Sequence, residues 1–190
     1  MFLLYIVAYL DRINVGFAAL QLNQALNFDP TVFGLGAGIF FIGYFLFEIP
    51  SNLIMERVGA RIWIARILLT WGIISSAMMF VRGPLTFYTL RFLLGIAEAG
   101  FFPGMILYLT YWFPAEARGR AIARFMTATA MAGVIGGPVS GVLLKMNGIA
   151  GLAGWQWLFL IEDLPAVVLG FVTLVYLPDS PASASWLNSD

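Results

Sequence analysis

The stretch RFLLGIAEAGFFPGMILYLTYWFP, residues 91–114, is long and apolar, yet it carries formal charges at Arg91 and Glu98. A helix needs about 20 mostly apolar residues to cross a hydrocarbon core of ~30 Å. If the helix begins near residue 86, Glu98 lies about 12 residues or ~18 Å deep, close to the midplane. The two charges are seven residues apart, nearly two turns, so they share one helix face with Gly95 and Phe102. The stretch therefore predicts a membrane span with a charged stripe.

The composition of the whole chain supports a membrane protein. Of its 190 residues, 61% are hydrophobic and 11% are charged, whereas soluble domains have about 25% charged residues. The chain contains no cysteine and no histidine. These absences argue against disulfides, thiol nucleophiles, Ser-His dyads and the usual transition-metal sites, so we expect no cofactor and no metal. The formal net charge of zero gives no sign of nucleic-acid binding.

The apolar segments divide the chain into six predicted spans and a polar tail. The spans are expected at 2–24, 32–54, 62–81, 86–113, 121–145 and 155–177. The first span lacks a basic lead-in and a small-residue cleavage site, so we interpret it as a helix and not as a signal peptide. Residues 1–177 are therefore expected to form one bundle of 3+3 helices, and 178–190 to begin a cytoplasmic linker.

The positive charges predict the orientation. Six arginines lie in or beside the loops after the second and fourth spans, against one arginine and one lysine in the other loops. The six are Arg57, Arg61, Arg66, Arg118, Arg120 and Arg124, and the two are Arg82 and Lys145. Because cytoplasmic loops carry the excess of Lys and Arg, both termini are expected in the cytoplasm.

Two further charges, Asp11 and Arg12, lie near mid-depth in the first span. An ionised side chain there costs roughly 2.5–3.5 kcal/mol, so four such groups facing lipid would cost on the order of 10 kcal/mol. They must face each other or a wet cavity. One interpretation is a pair of buried ion bridges that hold the first and fourth spans together, although desolvation makes such bridges poor stabilisers. The other is a polar cavity whose arginines bind an anion and whose carboxylates bind protons.

The cavity interpretation links anion binding to proton binding. A carboxylate whose arginine partner leaves to hold a substrate anion gains affinity for a proton, which is the thermodynamic basis of symport. The Tyr44 hydroxyl could reach a substrate in this cavity, and an interhelical hydrogen bond explains it equally well. Asn14 and Thr129 could line the same cavity, but a hydrogen bond to backbone is the default interpretation of such residues.

Residues 52–61, NLIMERVGAR, form a charged segment between the second and third spans. Gly59 permits a tight turn, and Glu56, Arg57 and Arg61 could form a charge cluster with neighbouring helix ends. Such a cluster could lock one conformation, or the segment could be an ordinary positive-inside loop.

Small residues in the fifth span predict a helix contact. Gly133, Gly137 and Gly141 recur at every fourth residue and share one face, and Pro138 permits a bend. This face could serve tight packing or a helix that flexes.

Several motifs in this order resemble one known family. They are LDRINVGFA at 10–18, GYFLFEIPSNLIMERVGARIWIARI at 43–67, RFLLGIAEAGFFPG at 91–104, YWFP at 111–114, GPVSG at 137–141 and GWQWLFLIEDLPA at 154–166. The chain resembles the N-terminal half of a major facilitator superfamily transporter. Within that superfamily it is similar to the anion:cation symporter family, which carries tartrate, hexuronates, galactonate, phthalate and related carboxylates. The implied fold class is an all-α membrane protein, the N-terminal bundle of six transmembrane helices.

The resemblance also implies roles for individual residues. Asp11 and Glu98 would be the proton-coupling carboxylates. The residues implied in substrate binding are Arg12, Tyr44, Arg91 and Thr129. Asn14 is a further candidate. Residues 52–61 resemble the family's conformational-lock motif, but Asn52 replaces a usual glycine, Glu56 a usual aspartate and Ala60 a usual basic residue. Asp163 stands where relatives often carry a small uncharged residue.

The expected function is proton-coupled symport of a small organic anion across the inner (plasma) membrane by alternating access. Such transporters have two six-helix halves with the substrate between them, so we expect a missing C-terminal half or a second copy as partner. The alternative is a truncated, non-transporting half or subunit. We do not expect an enzyme, since no nucleophile–base pair is present, and we expect no nucleic-acid partner.

Overall fold

The computed structural model describes residues 1–184 and 187, and within them the fold is all-α. Seven α-helices are described, with these bounds: α1 Phe2–Leu26, α2 Pro30–Val58, α3 Ala60–Ser76, α4 Pro84–Glu98, α5 Phe101–Trp112, α6 Ala115–Leu144 and α7 Gly154–Tyr176. A 3₁₀ turn, Ala77–Phe80, extends α3, and α4 and α5 together form one span. Six segments are therefore long and apolar enough to cross a membrane, which confirms the six predicted spans. Part of the predicted linker, residues 185, 186 and 188–190, lies outside the described residues.

The fourth span is broken directly after Glu98, whereas the sequence predicted one continuous helix over 86–113. Gly100 has φ 82°, in the left-handed region that favours glycine, and separates α4 from α5. Pro103 follows in the first turn of α5, where its missing N–H leaves no bond unmade. A Cβ on Gly100 would meet Ser51 of α2 at 2.6 Å, so the break also lets α2 lie against this point.

The segment PAEARGR at 114–120 was predicted as a loop, and that prediction is wrong from residue 115 onward. Pro114 precedes the first residue of α6, and the following Ala, Glu and Arg residues are strong helix formers. Glu116 lies in the first turn, where the helix dipole favours a negative charge. At 30 residues α6 is about 45 Å long, so its charged start can lie beyond the hydrocarbon core.

The helices pack mainly in three combinations: α3 on α7, α2 on α4, and α1 between α6 and α7. The α2–α4 contact depends on Gly95, because a Cβ there would collide with the carbonyl oxygen of Phe40. This close approach places the side chains of α2 next to the charged end of α4. Less of α2 and α6 is covered than of the other spans, with 17% and 28% of their apolar windows buried.

The predicted glycine face of α6 is not a packing face within this bundle. A Cβ on Gly133, Gly137 or Gly141 would have nothing within 4 Å, and Pro138 is exposed. The face that packs on α1 carries a different four-residue repeat of small residues: Ala128, Ala132, Gly136 and Ser140. A Cβ on Gly136 would meet Ile13 of α1 at 2.8 Å. Both four-residue repeats of small residues are visible in the sequence. The prediction was based on the repeat that contains more glycine.

Candidate functional site

An ion pair at mid-span joins α1 to the end of α4. Arg12 Nη2 donates to Glu98 Oε2 at 2.9 Å, and the exposed fractions of the two side chains are 32% and 3%. Asp11 and Arg12 are consecutive on a helix with 3.6 residues per turn, so they point about 100° apart. Arg12 therefore faces Glu98 on α4 and a partly exposed side of the bundle, called the open side below, while Asp11 is buried.

Aromatic rings and a second arginine surround this pair. The Arg12 guanidinium carbon lies 5.2 Å from the centre of the Tyr44 ring and 5.8 Å from that of Phe40, both on α2. Arg91 is buried, donates from Nε to the carbonyl oxygen of Gly36 at 3.3 Å, and lies 4.6 Å from the Phe40 ring. The structure thus brings Arg12, Tyr44, Arg91 and Glu98 together, with Arg12 toward the open side and Arg91 behind Phe40.

The Asp11 carboxylate does not pair with an arginine. Its Oδ1 accepts from the hydroxyl of Ser75 on α3 and from Nδ2 of Asn14 at 3.5 Å. Asn14 also donates to Oδ1 of Asp163 on α7 at 3.3 Å. Asp11 also acts electrostatically on Glu98. The two predicted proton-coupling carboxylates are therefore close together.

Two predicted site residues have other partners. Asn14 is 1% exposed and holds two acids, so it has no free path to the open side. Thr129 is half-exposed on α6, and its hydroxyl donates to the carbonyl oxygen of Met126 one turn earlier. Neither is placed beside Arg12, and we leave both out of the substrate site proposed below.

Several polar residues near this site were not assigned a role from the sequence. Glu162 on α7 is buried and accepts a hydrogen bond from Ser140 on α6 at 2.6 Å. Both it and Asp163 stood out as acids inside an apolar span, and that signal could have identified them. Ser75 carried no comparable signal, because a lone serine in an apolar helix commonly bonds its own backbone.

The predicted conformational-lock segment is mostly helical. Asn52, Glu56 and Arg57 lie within α2, and Asn52 donates to the carbonyl oxygen of Glu48 at 2.8 Å. Gly59 makes the turn with φ 97°. Among the described residues, Glu56 and Arg57 form no ion pair, and of the three charged residues only Arg61 has one.

The partner of Arg61 is an acid that follows α7. Asp179 Oδ1 accepts from the Arg61 backbone N–H at 2.8 Å, and its Oδ2 lies 4.0 Å from Arg61 Nε. The carboxylate is also close to Gly59, where a Cβ would lie 2.8 Å from its Oδ1. The linker thereby caps the start of α3, a contact that sequence spacing of 118 residues could not predict.

This geometry permits an exchange of charged partners. A guanidinium can bind a carboxylate through two parallel hydrogen bonds, and Arg12 is open enough to be reached by one. A ligand that takes Arg12 leaves Glu98 buried without its counter-charge, beside Asp11. Proton uptake is the simplest way to compensate such a loss.

Comparisons with known proteins give the family. Residues 1–189 match the Major Facilitator Superfamily. The chain is 63% identical over 188 residues to a protein of Agrobacterium vitis named "Putative tartrate transporter", covering 99% of this chain and 43% of the relative. It is 55% identical to the "Putative metabolite transport protein NicT" of Pseudomonas putida, covering 98% of this chain and 43% of that protein. The chain thus spans less than half the length of these relatives, and both are named as transporters.

A solved structure with the same fold is a bacterial homologue of the human lysosomal transporter Spinster, in an inward-facing and occupied conformation. Its TM-score is 0.87 at 20% identity, over 95% of this chain and 43% of that one. At that identity the likeness concerns the fold alone. Six apolar spans, the family match over residues 1–189 and the identity to proteins named as transporters lead to one conclusion: the chain is a multi-pass membrane protein that belongs to the Major Facilitator Superfamily.

Proposed function

We propose that the chain is the N-terminal half of a secondary transporter that carries a small organic anion together with a proton. The observation that carries this proposal is the mid-span pair of a reachable Arg12 and a buried Glu98. A ligand carboxylate would replace Glu98 on the guanidinium, and Glu98 would take a proton. Anion and proton binding then favour each other by linkage.

The co-transported proton also reduces the net charge that crosses the membrane with the anion. Carrying one negative charge into a cell with an inside-negative potential costs about 2.3 kcal/mol per 100 mV, and a co-transported proton cancels that cost. Asp11, within range of Glu98, would be a second protonation site. Tyr44 and Arg91 would contribute a donor and a positive charge around the anion. The tartrate named for the Agrobacterium vitis relative is a carboxylate, which fits this chemistry.

The site requires a second half. The Arg12 side chain is 32% exposed, and transporters of this fold bind substrate between two six-helix bundles. The partner would be a C-terminal half or a second copy of the chain. Both termini would lie in the cytoplasm, and the membrane would be the inner membrane. The alternative is a half that does not transport.

The test is a chimaera in which this chain replaces the matching first half of the Agrobacterium vitis relative, with the unaltered relative measured alongside. We expect uptake of labelled tartrate into vesicles to rise when an inward proton gradient is imposed. Glu98→Gln should abolish the response to the gradient. Asp29→Asn is the matched control, because Asp29 is exposed and caps α2, a role that Asn fills equally well.

Two outcomes contradict the proposal. One is a chimaera that carries no tartrate while the relative does, which favours the non-transporting alternative. The other is a Glu98→Gln chimaera that follows the proton gradient as the unmutated chimaera does.

A further inference from the structure

A fully buried acid on α7, Asp163, has no role in the exchange proposed above. Its exposed fraction is 0%, and that of Asp11, which faces it from α1, is 1%. A single amide bridges them: Asn14 Nδ2 lies 3.3 Å from Asp163 Oδ1 and 3.5 Å from Asp11 Oδ1. The two carboxyl groups are therefore held side by side at the interface of α1 and α7.

The second oxygen of each acid is unsatisfied. Oδ2 of Asp11 and Oδ2 of Asp163 are buried and have no hydrogen-bond partner within residues 1–184 and 187. The two carboxyl groups also act on each other electrostatically. Ionised carboxylates only accept, so a hydrogen bond between them exists only when one carries a proton.

The charges facing this pair do not compensate it. Glu98 approaches Asp11 from α4 and also has an unpartnered buried oxygen, Oε1, among the described residues. Glu162 adds a further carboxyl beside Asp163 on α7. On the positive side, Arg12 is paired with Glu98.

The remaining cation is Arg91, on α4. It acts on Asp11 electrostatically, but its Nε donates to Gly36 and its guanidinium lies over Phe40. No arginine or lysine of the described residues forms an ion pair with Asp163 or Asp11. Two adjacent buried carboxylates without a cation cannot both stay ionised.

We propose that Asp163 is a further proton-binding residue, which shares one proton with Asp11 across the α1–α7 interface. The proposal rests on the proposed function for its role in transport, since it adds a second proton site next to the Arg12–Glu98 pair. Through Asp11, which lies within range of both Glu98 and Asp163, a proton could pass between the two sites. A proton is favoured over a metal ion because the described residues contain no group of three or more acidic, His or Cys side chains placed to hold one.

Infrared spectroscopy of the whole chain in lipid can test this. A neutral carboxylic acid has a carbonyl stretch that an ionised carboxylate lacks, and solvent-exposed aspartates are ionised at neutral pH. The chain has five aspartates, and of those described only Asp11 and Asp163 are buried. Labelling aspartate with ¹³C should therefore shift a neutral-acid band in the unmutated chain at neutral pH.

Aspartate-to-asparagine variants show how much of the neutral-acid band intensity comes from Asp11 and Asp163. Asp11→Asn/Asp163→Asn should lose one carboxylic-acid equivalent of intensity per chain, while Asp29→Asn should lose none. A spectrum with no ¹³C-sensitive neutral-acid band overturns the proposal, and this result needs no variant to fold. A band that disappears when sodium replaces choline at constant pH also overturns it, because a cation then occupies the place of the proton.

These results separate this proposal from the proposed function. The infrared band reports protonation without any transport. If tartrate uptake by the chimaera ignores the proton gradient while the aspartic-acid band is present, the symport proposal fails and the shared proton stands.

Discussion

The free-energy cost of separating the Arg12–Glu98 ion pair can couple the binding of an anion to the binding of a proton. Breaking a buried ion pair by removing one partner costs about 3–5 kcal/mol, whereas an exposed pair contributes about 0–1 kcal/mol. With Arg12 32% and Glu98 3% exposed, the cost of separation falls mostly on Glu98. In the proposed exchange, a substrate carboxylate would replace the lost partner of Arg12, and a proton would neutralise Glu98. Neither event is favourable alone, which is why the two would be coupled.

The hydrogen bond between Ser140 and Glu162 gives a prediction about stability that does not depend on transport. Ser140 Oγ donates to Glu162 Oε1 at 2.6 Å, and Oε2 has no partner among the described residues. Removing the donor should leave this buried acid unsatisfied. We expect Ser140→Ala to lower the free energy of unfolding by about 1–3 kcal/mol, measured by denaturant titration in detergent.

The control for this variant is on the same helix. Thr129 is half-exposed and its hydroxyl bonds only the backbone of its own turn, so Thr129→Ala should change the unfolding free energy by less than about 0.5 kcal/mol. Equal effects of the two substitutions would mean that the Ser140–Glu162 bond contributes little.

At the scale of helices, apolar length alone was sufficient to predict the number and order of the spans, because a chain in lipid must satisfy its backbone within each helix. The break after Glu98 was missed because glycine and proline occur inside many continuous membrane helices. The site was predicted in part: mid-span charges at Asp11, Arg12 and Glu98 were evident. Which acid meets which arginine depends on how helices rotate against each other. A linear sequence does not give that rotation, so the contacts of Asp11 with Ser75 and Asp163 were not predicted.

The two faces of α6 give a prediction at the same scale. Gly136 lies against Ile13 and Leu10 of α1, where a Cβ would come within 2.8 and 3.1 Å of their side chains. Gly136→Leu should therefore separate the helices or strain them, and overpacking of this kind costs about 1–3 kcal/mol. Gly137→Leu, one residue further on, meets open space and is the matched control. Thermal unfolding in detergent should show a lower midpoint for the first variant only.

At the scale of the whole molecule, both the poorly covered helices and the partly exposed polar site favour contact with a second bundle. Large apolar side chains on α2, such as Phe45 and Ile49, are more than 70% exposed, which suits contact with lipid or with a second bundle. The Arg12 side chain lies against Tyr44 of α2 and is 32% exposed. An isolated bundle would expose half a binding site, whereas two bundles would enclose it. The short share of each relative that the chain covers agrees with this interpretation.

The orientation of the bundle can be measured because the chain contains no cysteine. Gly83 lies between α3 and α4 and Gly119 near the start of α6, at opposite ends of the bundle, and a Cβ on either meets nothing within 4 Å. The arginine count predicts that Gly119 is cytoplasmic and that Gly83 is outside. Gly83→Cys should react with a membrane-impermeant thiol reagent in intact cells, and Gly119→Cys only in inverted vesicles. The reverse pattern would place both termini outside and contradict the orientation predicted from the arginine count.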